Sequence, residues 1–139
     1  MSSTPARSSV RSWPWVLVLD LVLVTAFAAL GRRSHEHGLD PAGILSTALP
    51  FLAACLLGWA AMRAWRRPVQ LWPAGVAIWL ITVAAGLALR AAAGGGTAFS
   101  FQVVTLCVLG AFLLGQRLAW ILAGRRRAAR TAKPSAPVH

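Results

Sequence analysis

Four long runs of apolar residues divide this chain, and they restrict its possible folds more than any other feature. They cover residues 14–30, 42–62, 74–93 and 98–116. A helix needs about 20 apolar residues to cross the hydrocarbon core of a bilayer. A water-soluble domain of 139 residues cannot bury four such runs, because small folds leave much of their surface exposed. The pattern predicts an integral membrane protein.

The runs predict an all-α bundle of four transmembrane helices, at about 14–31, 41–64, 73–93 and 98–123, which together form one domain, 14–123. Residues 1–13 and 124–139 are basic and polar, and we expect them to be disordered tails. Asp40 followed by Pro41 is typical of a helix start. Pro50 should kink the second helix because proline has no N–H to donate. A cleaved signal peptide is the alternative for the first run, but Asp20 interrupts its apolar region.

Lysine and arginine are distributed unequally between the two sides of this bundle. Ten lie in the N-tail, the loop between the second and third helices and the C-tail, whereas three lie in the first loop and at the end of the third helix. Positive residues favour the cytoplasmic side, so both termini are predicted to be cytoplasmic, in a bacterial inner membrane. These flanking clusters account for the net charge of +11, and we expect no nucleic-acid partner. Five tryptophans map to the same interface, where indoles prefer to lie: Trp13, Trp15, Trp65, Trp72 and Trp120.

Two charged residues fall inside the apolar helices at matching depth. Asp20 lies six residues after Pro14, about 9 Å into the first helix. Arg117 lies six residues before Ala123 on the antiparallel fourth helix. One charge in hydrocarbon costs roughly 2.5–3.5 kcal/mol, so the sequence predicts an intramembrane ion pair between Asp20 and Arg117. The alternatives are that Arg117 reaches out to the headgroups and that Asp20 is unpaired or protonated.

Two helices carry stripes of small and polar residues at helical spacing. The first stripe consists of Asp20, Val24, Phe27, Gly31 and His35, and the second of Trp79, Thr82, Gly86 and Arg90. Such stripes let helices approach closely, and helix packing without chemistry is the simpler interpretation. Cys55 and Cys107 have no metal-ligating spacing. We therefore expect them to be apolar packing residues, with no metal and no cofactor.

The first loop is the most polar connection between the helices. Arg32 and Arg33 lie on the side where positive charge is scarce, and with His35 and Arg90 they are predicted to form an outer site for an anion or a lipid headgroup. One alternative is a solvated loop that only contacts headgroups. Another is a metal site at His35, His37 and Glu36, although the ligand set is incomplete.

Several segments together carry a resemblance to a known family. They are Asp20 with Phe-Ala-Ala-Leu-Gly-Arg-Arg-Ser-His at 27–35, Pro50-Phe51, Trp79-x-x-Thr82-x-x-x-Gly86-x-x-x-Arg90, and Arg117. With these, residues 14–122 resemble a bacterial membrane family catalogued only as domain of unknown function 3054. That family often has an aromatic residue before its last arginine, where this chain has Gln116. The resemblance implies four spans and no assigned activity.

Three functions are compatible with these features. The preferred one is a non-enzymatic membrane protein whose partners are the bilayer and anionic lipid headgroups, with a homo-oligomer left open. The alternative is a small proton-coupled transporter or channel subunit with Asp20 as the carrier. Four-span exporters of dual topology have a weak Lys/Arg bias, whereas the bias in this chain is strong. The third is an enzyme using His35 and Glu36, for which the sequence has no catalytic motif.

The orientation can be tested by cysteine labelling in intact cells, in a chain freed of its native cysteines. A cysteine at Ser34 should react with a membrane-impermeant thiol reagent, because the first loop is predicted to lie outside. Cysteines at Ser3, Arg66 and Ser135 should react only after the cells are permeabilised. Labelling at Ser135 in intact cells would contradict the predicted topology.

Overall fold

The fold is that of a computed structural model, which describes residues 5–34, 40–96 and 98–131. Over these residues the chain is all-α. Its long helices are α1 (Pro5–Ser34), α2 (Pro41–Met62), α3 (Val76–Ala92) and α4 (Phe99–Thr131). A 3-10 helix (Ala64–Arg66) and a π-helical turn (Leu71–Gly75) lie between α2 and α3.

In the described ranges, four helical segments are long and apolar enough to cross a membrane. They are Trp13–Arg32, Pro41–Met62, Leu71–Ala92 and Phe99–Thr131. The all-α class and the four spans predicted from the apolar runs are therefore confirmed. The orientation of the termini stays a prediction.

The first and last helices extend further than the sequence predicts. α1 begins at Pro5 rather than near residue 14, and α4 continues to Thr131 rather than ending near residue 123. Parts of both expected tails are therefore helical. Extending an existing helix avoids the cost of nucleating a new one, and the Ala- and Arg-rich C-tail favours helix. The 33 residues of α4 span about 50 Å, more than the hydrocarbon core, so its basic end projects beyond the membrane span.

The start and end of α2 follow local sequence signals. Asp40 lies before the helix in extended backbone and accepts a hydrogen bond from the N–H of Gly43 at 2.9 Å, and Pro41 is the first helical residue. The helix start predicted from Asp40-Pro41 is thus confirmed. α2 is assigned as one helix through Pro50, and Arg63 ends it with a left-handed φ of 48°.

The helices form a ring in which each packs against its neighbours in sequence. α2 packs against α1 and α3, and α4 packs against α3 and α1, which closes the ring. Because the connections are short, successive helices run antiparallel. We call the end with the α2–α3 connection the α2–α3 end, and the opposite end, with the α1–α2 and α3–α4 connections, the α1–α2 end. At the latter, Gly94 adopts a φ of 85° in the turn after α3.

An aromatic cluster fills the ring towards the α1–α2 end. The rings of Phe27 and Phe51 meet edge to face with centroids 5.5 Å apart, and Phe101 lies 6.3 Å from each. Gly86 on α3 lies directly against the Phe51 ring, where a Cβ atom would overlap it. The cluster therefore depends on a residue without a side chain at position 86.

We expect Gly86→Ala to lower the unfolding temperature in detergent. Forcing a methyl group into a packed core costs about 1–3 kcal/mol, which outweighs the gain of about 1 kcal/mol in helix propensity from glycine to alanine. Gly115→Ala on α4 is the matched control, because a Cβ there has no atom within 4 Å. It should preserve or raise the unfolding temperature. Equal effects of the two variants would contradict this account of the packing.

Candidate functional site

Asp20 on α1 and Arg117 on α4 lie in direct contact inside the bundle. The Arg117 Nη1 donates to Oδ1 of Asp20 at 3.0 Å, and Nη2 donates to Oδ2 at 2.6 Å. Both side chains are 0% exposed. Two parallel N–H···O bonds make the strongest geometry available to an arginine and a carboxylate. The pair therefore holds the first helix of the chain against the last.

Two neutral donors complete the surroundings of the Asp20 carboxylate. The Trp59 indole N–H on α2 donates to Oδ2 at 2.7 Å, and the Gln116 amide donates to Oδ1. Each carboxylate oxygen thus accepts from Arg117 and from one neutral group. The four hydrogen bonds fix the carboxylate of α1 against α2 and α4.

The remaining contacts of Arg117 reach the backbone. Its Nε donates to the carbonyl of Pro68 at 3.1 Å, and its Nη1 also donates to the carbonyl of Leu113 at 2.9 Å. Pro68 belongs to the α2–α3 connection and is itself buried. Gly75 leaves room for the arginine, since a Cβ there would lie 3.0 Å from the Arg117 Cδ. The buried guanidinium therefore fixes the connection above it.

Gln116 links this group to the surroundings of the bundle. Its amide nitrogen also donates to the carbonyl of Val16 on α1 at 3.1 Å, and its amide oxygen accepts from the Trp120 indole at 3.1 Å. We call Asp20, Arg117, Trp59, Gln116 and the Pro68 carbonyl the buried polar network. Its last three members were not predicted from the sequence. The change from an aromatic residue to Gln116 was one available signal, and the depth of Trp59 was another.

The geometry of the ion pair excludes one of the alternatives left open for each of its two members. Arg117 does not reach the headgroups, because its side chain is fully buried. Asp20 is not unpaired, because it accepts four hydrogen bonds. Chemically, the arrangement cancels two charges that would each be costly in hydrocarbon.

A second feature, at the α1–α2 end, is an open cleft of about 720 Å³ between α1 and α4. Its walls are mainly apolar and include Phe27, Phe101, Val104 and Val108. Arg32 and Arg90 also line it. The structure thus brings two of the four residues predicted for an outer anion site to one cleft. Of the other two, His35 and the side chain of Arg33 lie outside the described residues.

Contacts at the α3–α4 turn hold the Arg90 side chain at this cleft. Its Nε donates to the carbonyl of Gly96 at 2.8 Å, and its guanidinium carbon lies 4.6 Å from the centroid of the Phe101 ring. A guanidinium over an aromatic face is attracted by the ring quadrupole. Arg32 lies against Gly43 at the start of α2, where an added Cβ would overlap the guanidinium.

Three residues of the α3 stripe pack within the bundle. The Trp79 indole donates to the carbonyl of Leu106 on α4 at 2.9 Å and lies against Gly110. Thr82 is fully buried, and Gly86 contacts Phe51. Within residues 5–34, 40–96 and 98–131, no three His, Cys, Asp or Glu side chains are grouped as a metal site.

The chain matches one known protein family. The family described as "Protein of unknown function (DUF3054)" matches residues 17–120. The chain belongs to this family. The matched region of DUF3054 includes the whole buried polar network and both arginines of the cleft. No curated protein and no solved structure matches the chain.

The coupling between Asp20 and Arg117 can be measured by a double-mutant cycle in detergent. Asp20→Asn and Arg117→Gln should each lower the unfolding temperature, because removing one partner of a buried pair costs about 3–5 kcal/mol. The double variant should recover part of the loss, since neither charge is then left alone. Arg125→Gln, at an exposed position of α4, should have no effect. Losses that simply add would show that the two residues are not coupled.

Proposed function

We propose that this protein is a non-enzymatic membrane protein that binds an anionic lipid in the cleft between α1 and α4. The observation that carries the proposal is the combination of an apolar cleft of about 720 Å³ with two arginines, Arg32 and Arg90, in its lining. The cleft is in the size range of natural ligand sites, about 300–1,000 Å³. Its apolar walls suit an acyl chain, and its guanidinium groups suit a phosphate.

The position of the arginines along the bundle favours a lipid over a soluble anion. Arg32 is the last residue of the first candidate span, and Arg90 is close to the end of the third. Charged groups at the ends of spans lie at the level of the lipid phosphates. A lipid that entered from the bilayer would therefore bring its phosphate to the arginines and its chain to the apolar walls.

The arrangement of Asp20 supports this function over proton-coupled transport. A carrier carboxylate must exchange its proton with water or substrate during each cycle. Asp20 is 0% exposed and is already bound to Arg117, Trp59 and Gln116. We therefore assign Asp20 a structural role in the bundle. The third hypothesis, an enzyme using His35 and Glu36, concerns residues outside the described part of the chain.

The orientation gives the proposed site its side of the membrane. The Lys/Arg bias supports cytoplasmic termini, in which case the α1–α2 end faces outwards. The proposed protein is then a multi-pass protein of a bacterial cell membrane whose cleft takes lipid from the outer leaflet.

The proposal is tested by measuring the phosphatidylglycerol that remains bound to the purified protein, by mass spectrometry. Arg90→Gln should reduce retention on the order of tenfold, because a hydrogen bond to a charged group contributes about 1.5–3 kcal/mol. Val104→Trp should also reduce it by filling the cleft while leaving both arginines in place. Arg127→Gln, which removes one exposed charge from the far end of α4, is the control and should retain the lipid.

Two checks keep the test informative. Each variant should first be shown to unfold at the temperature of the unmodified protein, because Arg90 also contacts Gly96 and Phe101. If Arg90→Gln and Val104→Trp both retain lipid as well as Arg127→Gln, the cleft does not hold an anionic lipid and the proposal is wrong.

A further inference from the structure

The connection between α2 and α3 borders a second, open cavity, at the end of the bundle opposite the cleft. It has a volume of about 310 Å³ and is lined by Arg63, Arg66, Arg67 and Gln70 among others. Its lining also includes Ala64 and Ala74, both of which are buried. Three arginines in the lining of one small cavity concentrate positive charge at this end of the bundle.

The backbone of this connection is ordered by a succession of turns. The N–H of Arg66 donates to the carbonyl of Arg63 at 3.0 Å, that of Arg67 to Ala64 at 3.1 Å, and that of Gln70 to Arg67 at 3.2 Å. From below, the buried Arg117 holds the Pro68 carbonyl. The three arginines are therefore displayed from a backbone that is already fixed, which lowers the entropic cost of binding.

Among residues 5–34, 40–96 and 98–131, none of these three arginines forms a salt bridge with an acidic side chain. The sequence contains three Asp and Glu residues in total. Asp20 is bound to Arg117, while Glu36 and Asp40 belong to the connection at the other end of α2. An anion that neutralises the cavity therefore has to come from outside the described residues.

The neighbouring tryptophans indicate at what depth this anion lies. Trp65 and Trp72 lie in the same connection, and they are 41% and 74% exposed. Indoles at the ends of membrane spans prefer the headgroup layer. The cavity therefore lies at the level of the lipid phosphates, where a phosphate can accept several N–H bonds from arginine.

We propose that Arg63, Arg66, Arg67 and Gln70 form a binding site for a phosphate-bearing anion, the headgroup of an anionic lipid in the leaflet at the α2–α3 end. This loop site is separate from the cleft and does not depend on the proposed function of the cleft. Its ligand is recognised by charge and by N–H donors, and the acyl chains remain in the bilayer.

The test compares two variants that remove the same charge from different places. Arg66→Gln/Arg67→Gln alters the loop site, whereas Arg125→Gln/Arg126→Gln removes two exposed charges from the end of α4. For each purified protein, the unfolding temperature is followed as dioctanoyl phosphatidylglycerol is added, with dioctanoyl phosphatidylcholine as the uncharged reference. The same titration is repeated in the presence of Arg90→Gln, so that a response of the cleft is separated from that of the loop.

We expect phosphatidylglycerol to stabilise the unmodified protein and the α4 variant at similar concentrations. The loop variant should need at least about tenfold more lipid for the same stabilisation, since two charged hydrogen-bond donors are lost. This difference should persist in the Arg90→Gln background. If the loop and α4 variants respond equally, the attraction is a diffuse effect of net charge and the loop site does not exist.

Inorganic phosphate and pyrophosphate distinguish the two sources of the anion. Stabilisation by phosphatidylglycerol alone, lost in the loop variant, supports the site and assigns it to lipid. Stabilisation by inorganic phosphate with the same dependence on Arg66 and Arg67 supports the site and assigns it to a soluble anion. A loop variant that unfolds at the normal temperature without lipid shows that its altered response is due to binding.

Discussion

The buried ion pair of Asp20 and Arg117 is the interaction on which the arrangement of the helices depends. Either charge alone in hydrocarbon would be costly. The helix that carries Asp20 and the helix that carries Arg117 must therefore pack against each other. α1 and α4 are the first and last helices of the chain, and their contact closes the ring. The indole of Trp59 brings α2 to the same point. A single pair of charges thus orders elements that are far apart in sequence.

The same pair also determines the shape of one end of the protein. Because Arg117 donates to the carbonyl of Pro68, the α2–α3 connection packs against the end of the bundle. Gly75 permits this approach, since a side chain there would press on the arginine. The exposed arginines of the connection are therefore placed by a buried one. At this end, the buried ion pair and the exposed arginines are therefore connected through the backbone of the α2–α3 connection.

The sequence was informative where a physical requirement acts on one helix at a time. The number of spans follows from the length of the apolar runs, and the start of α2 follows from Asp40 and Pro41. The matched depth of Asp20 and Arg117 could be counted along two helices. The partners Trp59 and Gln116 depend instead on the rotation of α2 and α4 about their axes, which packing sets. The Pro68 carbonyl carries no side-chain signal at all.

The cleft likewise depends partly on features that the sequence predicts and partly on how the helices pack. Topology alone brings Arg32 and Arg90 to one end of the bundle, but the cleft between α1 and α4, which Phe27 and Phe101 help to line, depends on how the helices pack. The overall charge then indicates where function is to be sought. The ion pair satisfies the middle of the bundle internally, whereas a net charge of +11 remains, most of it at the two ends. In a membrane the nearest compensating charges are lipid phosphates. A chain with so few acidic residues needs compensating charge from its surroundings, and this requirement is the physical basis of the two lipid sites proposed above.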